Sequence, residues 1–178
     1  MNMPADIVTD FIEKKLALSD NGAIHHLPGE KSLAKGLLAG LVGGLAATAA
    51  KTLAEKIYPP RTHGEPEPPE ELVEKVAGHS LSRMQKQIAS ETIHWTFGAT
   101  AGAAYGALAE FYPAATSREG ASFGLTLMAL THEGALPAMG LSAEPADQKK
   151  RERSSEMVTH VLFGIVTETV RRFVRKAI

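Results

Sequence analysis

Charged residues along the chain are gathered into short runs, and four quiet windows lie between them. Residues 36–50 (GLLAGLVGGLAATAA) carry no charge, with Lys31 and Lys35 before them and Lys51, Glu55 and Lys56 after. Residues 92–109 hold no Asp, Glu, Lys or Arg over 18 positions. Residues 120–141 are interrupted only by His132 and Glu133, and residues 157–167 run into Glu168 and the basic tail RRFVRKAI. Extended through its flanks, each window reaches the roughly 17–25 residues that a helix needs to cross a bilayer. The pattern predicts an all-α fold, a four-helix transmembrane bundle with spans at about 33–56, 88–112, 120–141 and 155–175.

Two further elements frame the bundle. Residues 5–18 (ADIVTDFIEKKLAL) place Ile7, Val8, Phe11, Ile12 and Leu16 on one side, the spacing of an amphipathic helix. Residues 1–30 therefore form an amphipathic N-terminal segment and 31–178 the membrane domain. Between the first two spans, YPPRTHGEPEPPEE carries five of the ten prolines, so 57–87 is read as a Pro-rich extramembrane loop with one short helix, ELVEKVAG. Lys and Arg divide nine to ten between the two sides of a four-span arrangement. Their placement near the ends of the first and last spans favours cytoplasmic termini.

Glycine spacing suggests how the helices meet. Gly36, Gly40 and Gly44 recur every fourth residue, as do Gly98, Gly102 and Gly106. A glycine inside a soluble helix costs about 1 kcal/mol against alanine. On an i, i+4 ridge between helices in lipid, small residues instead let two backbones approach, and that packing replaces the hydrophobic drive. The ridges are expected to pack helices, and a homo-oligomer built through such faces is a further expectation. A soluble Ala-rich bundle is the competing reading, favoured by a mean hydropathy of −0.08.

Composition narrows the chemistry. A net charge of −1 gives no basic footprint for nucleic acid. The absence of cysteine removes disulfides, thiolate nucleophiles and Cys-ligated zinc together. No nucleophile–base pair or phosphate loop is legible, so neither an enzyme, nor a catalytic residue, nor a cofactor is expected. HEGAL at 132–136 opens like a zinc-protease motif but has Leu136 where the second histidine belongs. A three-histidine metal site is chemically conceivable, yet the sequence fixes no ligand geometry and none is assigned.

The polar residues inside the windows carry the remaining interest. Glu156, His160, Gly164, Glu168 and Arg172 form an i, i+4 series, and Ser155-Glu156 with His160-x-x-Phe163-Gly164 echoes Ser90-Glu91 with His94-x-x-Phe97-Gly98. Such a repeat requires the second and fourth helices to run parallel. Ionisable groups at membrane depth face the bundle interior. His94, His132, Glu133, Glu156, His160 and Glu168 are therefore expected to form one polar cluster, with Glu133 about 100° from His132 and Pro137 bending the helix beside them. Its roles are interhelical hydrogen bonding or, alternatively, proton or ion handling. Tyr58 and Tyr112, each before a proline, suit interfacial anchors, and Tyr105 suits the core.

The series Lys51…Ala54-Glu55…Pro59-Pro60-Arg61, His94…Tyr105…Ala109-Glu110…Pro113, His132…Pro137…Met139-Gly140-Leu141 and Ser155-Glu156…His160…Glu168…Arg171-Arg172 resembles the YagU-like bacterial inner-membrane proteins, a domain of unknown function. The resemblance covers about residues 36–172. It implies a multi-spanning protein of the bacterial inner membrane, with the lipid bilayer as its partner; two function classes stay open, a structural or assembly role and a small proton- or ion-linked transporter. It transfers no active site.

Overall fold

A computed structural model describes residues 30–61, 67–79 and 81–178, so the expected amphipathic helix at 5–18 lies outside the described residues. Among the described residues every regular element is helical and there is no strand. Helix α1 spans Leu33–Ile57, α2 Pro68–Ala77 and α3 Arg83–Phe111. A 3-10 segment, Pro113–Gly120, leads into α4, Ala121–Leu130, which continues through a π-helical turn, Thr131–Ala135, and a last turn α5, Leu136–Ala138; α6 spans Lys150–Ala177.

Local chemistry sets these boundaries. Ser32 caps α1 by accepting from the Lys35 N–H, and the helix ends at Tyr58 because Pro59 disfavours helical backbone before it. Tyr112 before Pro113 ends α3 in the same way. The start of α3 lies upstream of the quiet window because Ser82 and Gln85 form a capping box. Helix α2 opens on Pro68 and closes on left-handed Gly78, occupying the connector. By length and composition one described helix, α1, is long and apolar enough to cross a membrane. Helices α3 and α6 extend beyond their quiet windows into charged turns such as KRER at the start of α6, and the uncharged stretch of α3 is itself diluted by His94, Tyr105, threonines and glycines.

Glycines decide how the long helices cross. Gly36 faces Gly106, and Gly44 faces Gly102 and Gly98, so α1 and α3 run antiparallel with backbones touching. A Cβ at Gly40 would stand 2.7 Å from the Gly106 Cα, and one at Gly102 would stand 2.5 Å from the Gly44 Cα. On its other side α1 packs antiparallel against α6, where a Cβ at Gly43 would meet the Thr167 carbonyl oxygen at 2.6 Å. A second glycine crossing joins α4 to α6: a Cβ at Gly164 would stand 2.7 Å from the Gly124 nitrogen. Gly120, at φ +85°, both turns the chain into α4 and abuts the Gly164 carbonyl, so a side chain there fails twice over. Helices α3 and α6 thus run parallel, as the sequence echo requires, but its two halves differ in burial: Glu91 and Phe97 are exposed where Glu156 and Phe163 are buried. Gly98 packs against Thr48 of α1, and Gly164 against Gly120 and Gly124 at the start of α4. The α1 and α3 ridges are consumed within one chain.

The interior mixes apolar residues such as Ala39, Ala47, Tyr105, Met128, Leu141 and Phe163 with many polar and charged ones, while many large apolar side chains are exposed. Among the described residues the buried positions include Thr48, Lys51, Glu110, Glu156, His160, Thr167, Glu168, Arg171 and Arg175. Leu37, Leu38, Leu41, Leu45, Leu53, Phe97, Leu108, Leu125, Val158, Ile165 and Phe173 are exposed. Tyr105 is buried, whereas Tyr58 and Tyr112 lie exposed at the ends of α1 and α3.

Replacing Gly102 by Val is expected to force α1 and α3 apart and cost about 1–3 kcal/mol, the usual penalty of overpacking. Ala104→Val, on the exposed face of the same helix, is expected to be nearly neutral. Denaturant titration of both variants, followed by circular dichroism, measures the difference; equal losses would sink the backbone-contact account.

Candidate functional site

Helix α6 supplies the polar interior. Successive steps of four residues drift, since each turns the helix 40° beyond a full revolution. The series from Glu156 therefore reaches Arg172 off the buried side, and Arg172 pairs instead with Glu119 at 3.0 Å. A step of three after Glu168 restores the stripe, so Arg171 and Arg175 are the buried cations.

The stripe contacts its neighbours in three layers. At the end nearest Ser32, Arg175 donates to Glu110 of α3 at 2.7–3.1 Å, the Ser32 N–H donates to the same carboxylate at 2.8 Å, and Arg175 also reaches the Glu30 carbonyl at 2.9 Å. In the middle, Arg171 grips Glu168 through two bonds of 2.7 and 2.8 Å, and the Tyr105 hydroxyl of α3 donates to Glu168 at 2.8 Å. Arg171 and Glu168 both have side chains of 0 % exposure, and the guanidinium lies 6.0 Å from the Tyr105 ring centroid. Its Nη1 has no hydrogen-bond partner among the described residues.

The third layer is the candidate site. Lys51 of α1 pairs with Glu55, reaches Glu156 Oε2 at 3.2 Å and donates to the Thr159 hydroxyl at 3.2 Å. His132 Nε2 lies 3.4 Å from the same Glu156 oxygen, and so does His160 Nδ1, which also donates to the Glu156 carbonyl at 2.8 Å. The two imidazoles meet edge to face with centroids 5.0 Å apart. His132 reaches this place from the π turn, in which the Leu136 N–H bonds back to the Thr131 carbonyl five residues earlier. Gln148 donates to the His132 carbonyl at 2.9 Å and holds the widened turn. A cavity of about 260 Å³ opens beside the cluster, lined by Thr48, Lys51, Glu55, His94, His132, Glu156 and His160, with Arg61, Glu67 and the Pro68–Pro69 start of α2 over it. Lys75 of α2 donates to the Met139 carbonyl at 2.7 Å and ties that cover to the end of α5.

The expected cluster is thus divided. His132, Glu156 and His160 come together, and their ligand-capable atoms all lie within 4.8 Å of one another. His94 lines the same cavity but bonds Thr52 at 3.3 Å. Glu168 belongs to the middle layer. Glu133 is turned away, as its position next to His132 dictates, and meets Arg153 at 2.8 Å near the surface. Lys51, Arg171 and Arg175 were not among the expected site residues, because charges at the edge of an apolar window look solvated. The signal that could have found them is a group of acids within the expected spans, Glu156 and Glu168 on α6 and Glu110 on α3, each of which requires a cation once buried.

A family model described as Protein of unknown function (DUF1440) matches residues 45–169. The chain belongs to the DUF1440 family. The matched span holds Lys51, His94, His132, Glu156, His160 and Glu168, so the DUF1440 region contains the whole candidate site, while Arg171 and Arg175 lie beyond it. Comparison with curated proteins and with solved structures gives no match.

Removing one member of a buried ion pair leaves an uncompensated charge and costs about 3–5 kcal/mol. Glu168→Gln is expected to lose stability on that scale, and Tyr105→Phe about 1.5–3 kcal/mol, the worth of a hydrogen bond to a charged group. Glu133→Gln, which breaks only a surface pair, should cost no more than about 1 kcal/mol. Unfolding midpoints of the three variants give the order directly, and a Glu133 variant as damaged as the Glu168 variant would contradict the division into interior and surface.

Proposed function

We propose that this DUF1440 protein is an integral protein of the bacterial inner membrane, with four helical spans formed by α1, α3, α4–α5 and α6, and that its role is structural or one of assembly. The observation that carries the reading is this placement of side chains. Large apolar residues face outwards from all four spans, and the charges inside are paired. In water so many exposed large apolar side chains on the four long segments would be unfavourable, since soluble monomers rarely expose large apolar patches. In lipid their exposure costs nothing, and close backbone packing with interhelical polar pairs supplies the cohesion. The resemblance to YagU-like proteins and the apolar length of α1 support the same reading. The three layers fix one register of α1 and α3 against α6, and no turnover is assigned to them. A second reading, ion-linked transport, is favoured by one feature: the layer at Lys51, alone of the three, borders the cavity beneath α2.

Bacterial membranes washed in alkaline carbonate are expected to retain the protein in the pellet. Because the chain has no cysteine, single probes are clean. Leu41→Cys and Ile165→Cys should resist a maleimide in intact vesicles, whereas Val76→Cys on α2 should react once the side bearing it is accessible, for which inside-out and right-side-out vesicles are both used. Release by carbonate, or labelling of Leu41→Cys as fast as Val76→Cys, would return the protein to the soluble-bundle reading.

A further inference from the structure

We propose that His132, His160 and Glu156 form a binding site for a divalent first-row transition-metal ion, with zinc as its representative. Glu156 and His160 stand one turn apart on one face of α6, both buried, and His132 arrives from a different segment. A carbonyl only accepts hydrogen bonds, so the 2.8 Å bond to the Glu156 carbonyl places the proton of a neutral His160 on Nδ1 and leaves a lone pair on Nε2. A backbone carbonyl holding the far nitrogen is the usual support of a metal-bound imidazole. Tetrahedral bonds of about 2.0–2.1 Å separate ligand atoms by about 3.4 Å. One ligand-capable atom of each residue lies within 4.8 Å of the others, with His160 Nδ1 3.4 Å from Glu156 Oε2, so binding through His160 Nε2 requires the Glu156 and His132 side chains to swing towards that nitrogen.

The backbone at His132 supports the same assignment. An extra residue in a π turn rotates the side chains beyond it by about 100° relative to a regular helix, and such turns concentrate at functional sites. Charge also fits. Lys51 answers one of the two carboxylates Glu55 and Glu156, so with neutral imidazoles the group retains one negative charge for a cation. When Glu156 turns to a metal, Lys51 keeps Glu55. Two imidazoles and a carboxylate without thiolate select zinc, iron, cobalt or nickel over magnesium and calcium. The three residues line the same cavity as Thr48 and His94, which leaves room for water or a small anion to complete the shell.

The inference goes beyond the membrane reading and does not rest on it, since carbonate extraction tests the bilayer and metal titration tests the cluster. The full-length, untagged protein in detergent is titrated with Co2+ and followed by visible d–d absorption. One Co2+ per chain, displaced by Zn2+, is expected. His132→Ala and His160→Ala should each weaken binding at least about tenfold, the loss that even outer-shell partners produce. Lys51→Met, which removes the competing ammonium, should strengthen it. Because a variant can fail to fold, the wild-type protein is also loaded with Cu2+, whose electron paramagnetic resonance should show coupling to two imidazole nitrogens. No Co2+ bands, no nitrogen coupling, or binding that survives in the His132/His160 double variant and disappears when His25 and His26 are replaced would overturn the site.

Discussion

Charge carried into the interior of a helical bundle has to be neutralised there, and the rest of this structure depends on that constraint. The buried stripe of α6 holds Glu156, Glu168, Arg171 and Arg175, and each needs a partner at hydrogen-bond distance. Lys51 on α1 and Tyr105 and Glu110 on α3 provide them. Those three side chains fix the sliding position of two helices against a third. A shift of one turn, about 5.4 Å, would break the three interhelical contacts, Lys51–Glu156, Tyr105–Glu168 and Arg175–Glu110, at once.

The glycines make that arrangement reachable. Helix α3 meets α6 mainly through long side chains, because α1 lies between most of their length. Only where α1 presents Gly36, Gly40, Gly43 and Gly44 can α3 and α6 both approach it closely enough for Tyr105 and Glu110 to span the gap. The energetic cost of glycine in a helix is thus offset by contacts that no larger residue permits. The α4–α6 crossing at Gly124 and Gly164 repeats the device, and it carries the π turn to the Glu156 layer.

The three layers differ in how fully they are answered. Glu110 receives Arg175 and a backbone N–H, and Glu168 receives Arg171 and a tyrosine hydroxyl, so both are locks. Around Glu156 one ammonium serves two carboxylates, two imidazoles converge, and a cavity lies alongside. A layer with spare ligands and open volume can accept something from outside; the other two layers do not border that cavity.

Which glycine ridge meets which was not legible in the order of residues, whereas the helical class, the approximate positions of the long helices and the packing role of the ridges were. These depend on local spacing: i, i+4 repeats lie on one face, and Tyr-Pro steps end helices wherever they occur. His132 and Pro137 could be placed at a helix irregularity for the same reason, since a proline must disturb its own turn. The composition of the site arose only in three dimensions. Whether Lys51 is a solvated flank or a buried partner depends on which helix lies opposite, and whether Arg171 or Arg172 faces inwards depends on a drift of about 40° per step that packing resets. Glu133 beside His132 was indistinguishable from it in hydropathy, yet the widened turn aims one residue at Glu156 and the other at Arg153. Charge neutralisation is a relation between helices far apart in the chain, so no single window of sequence contains it.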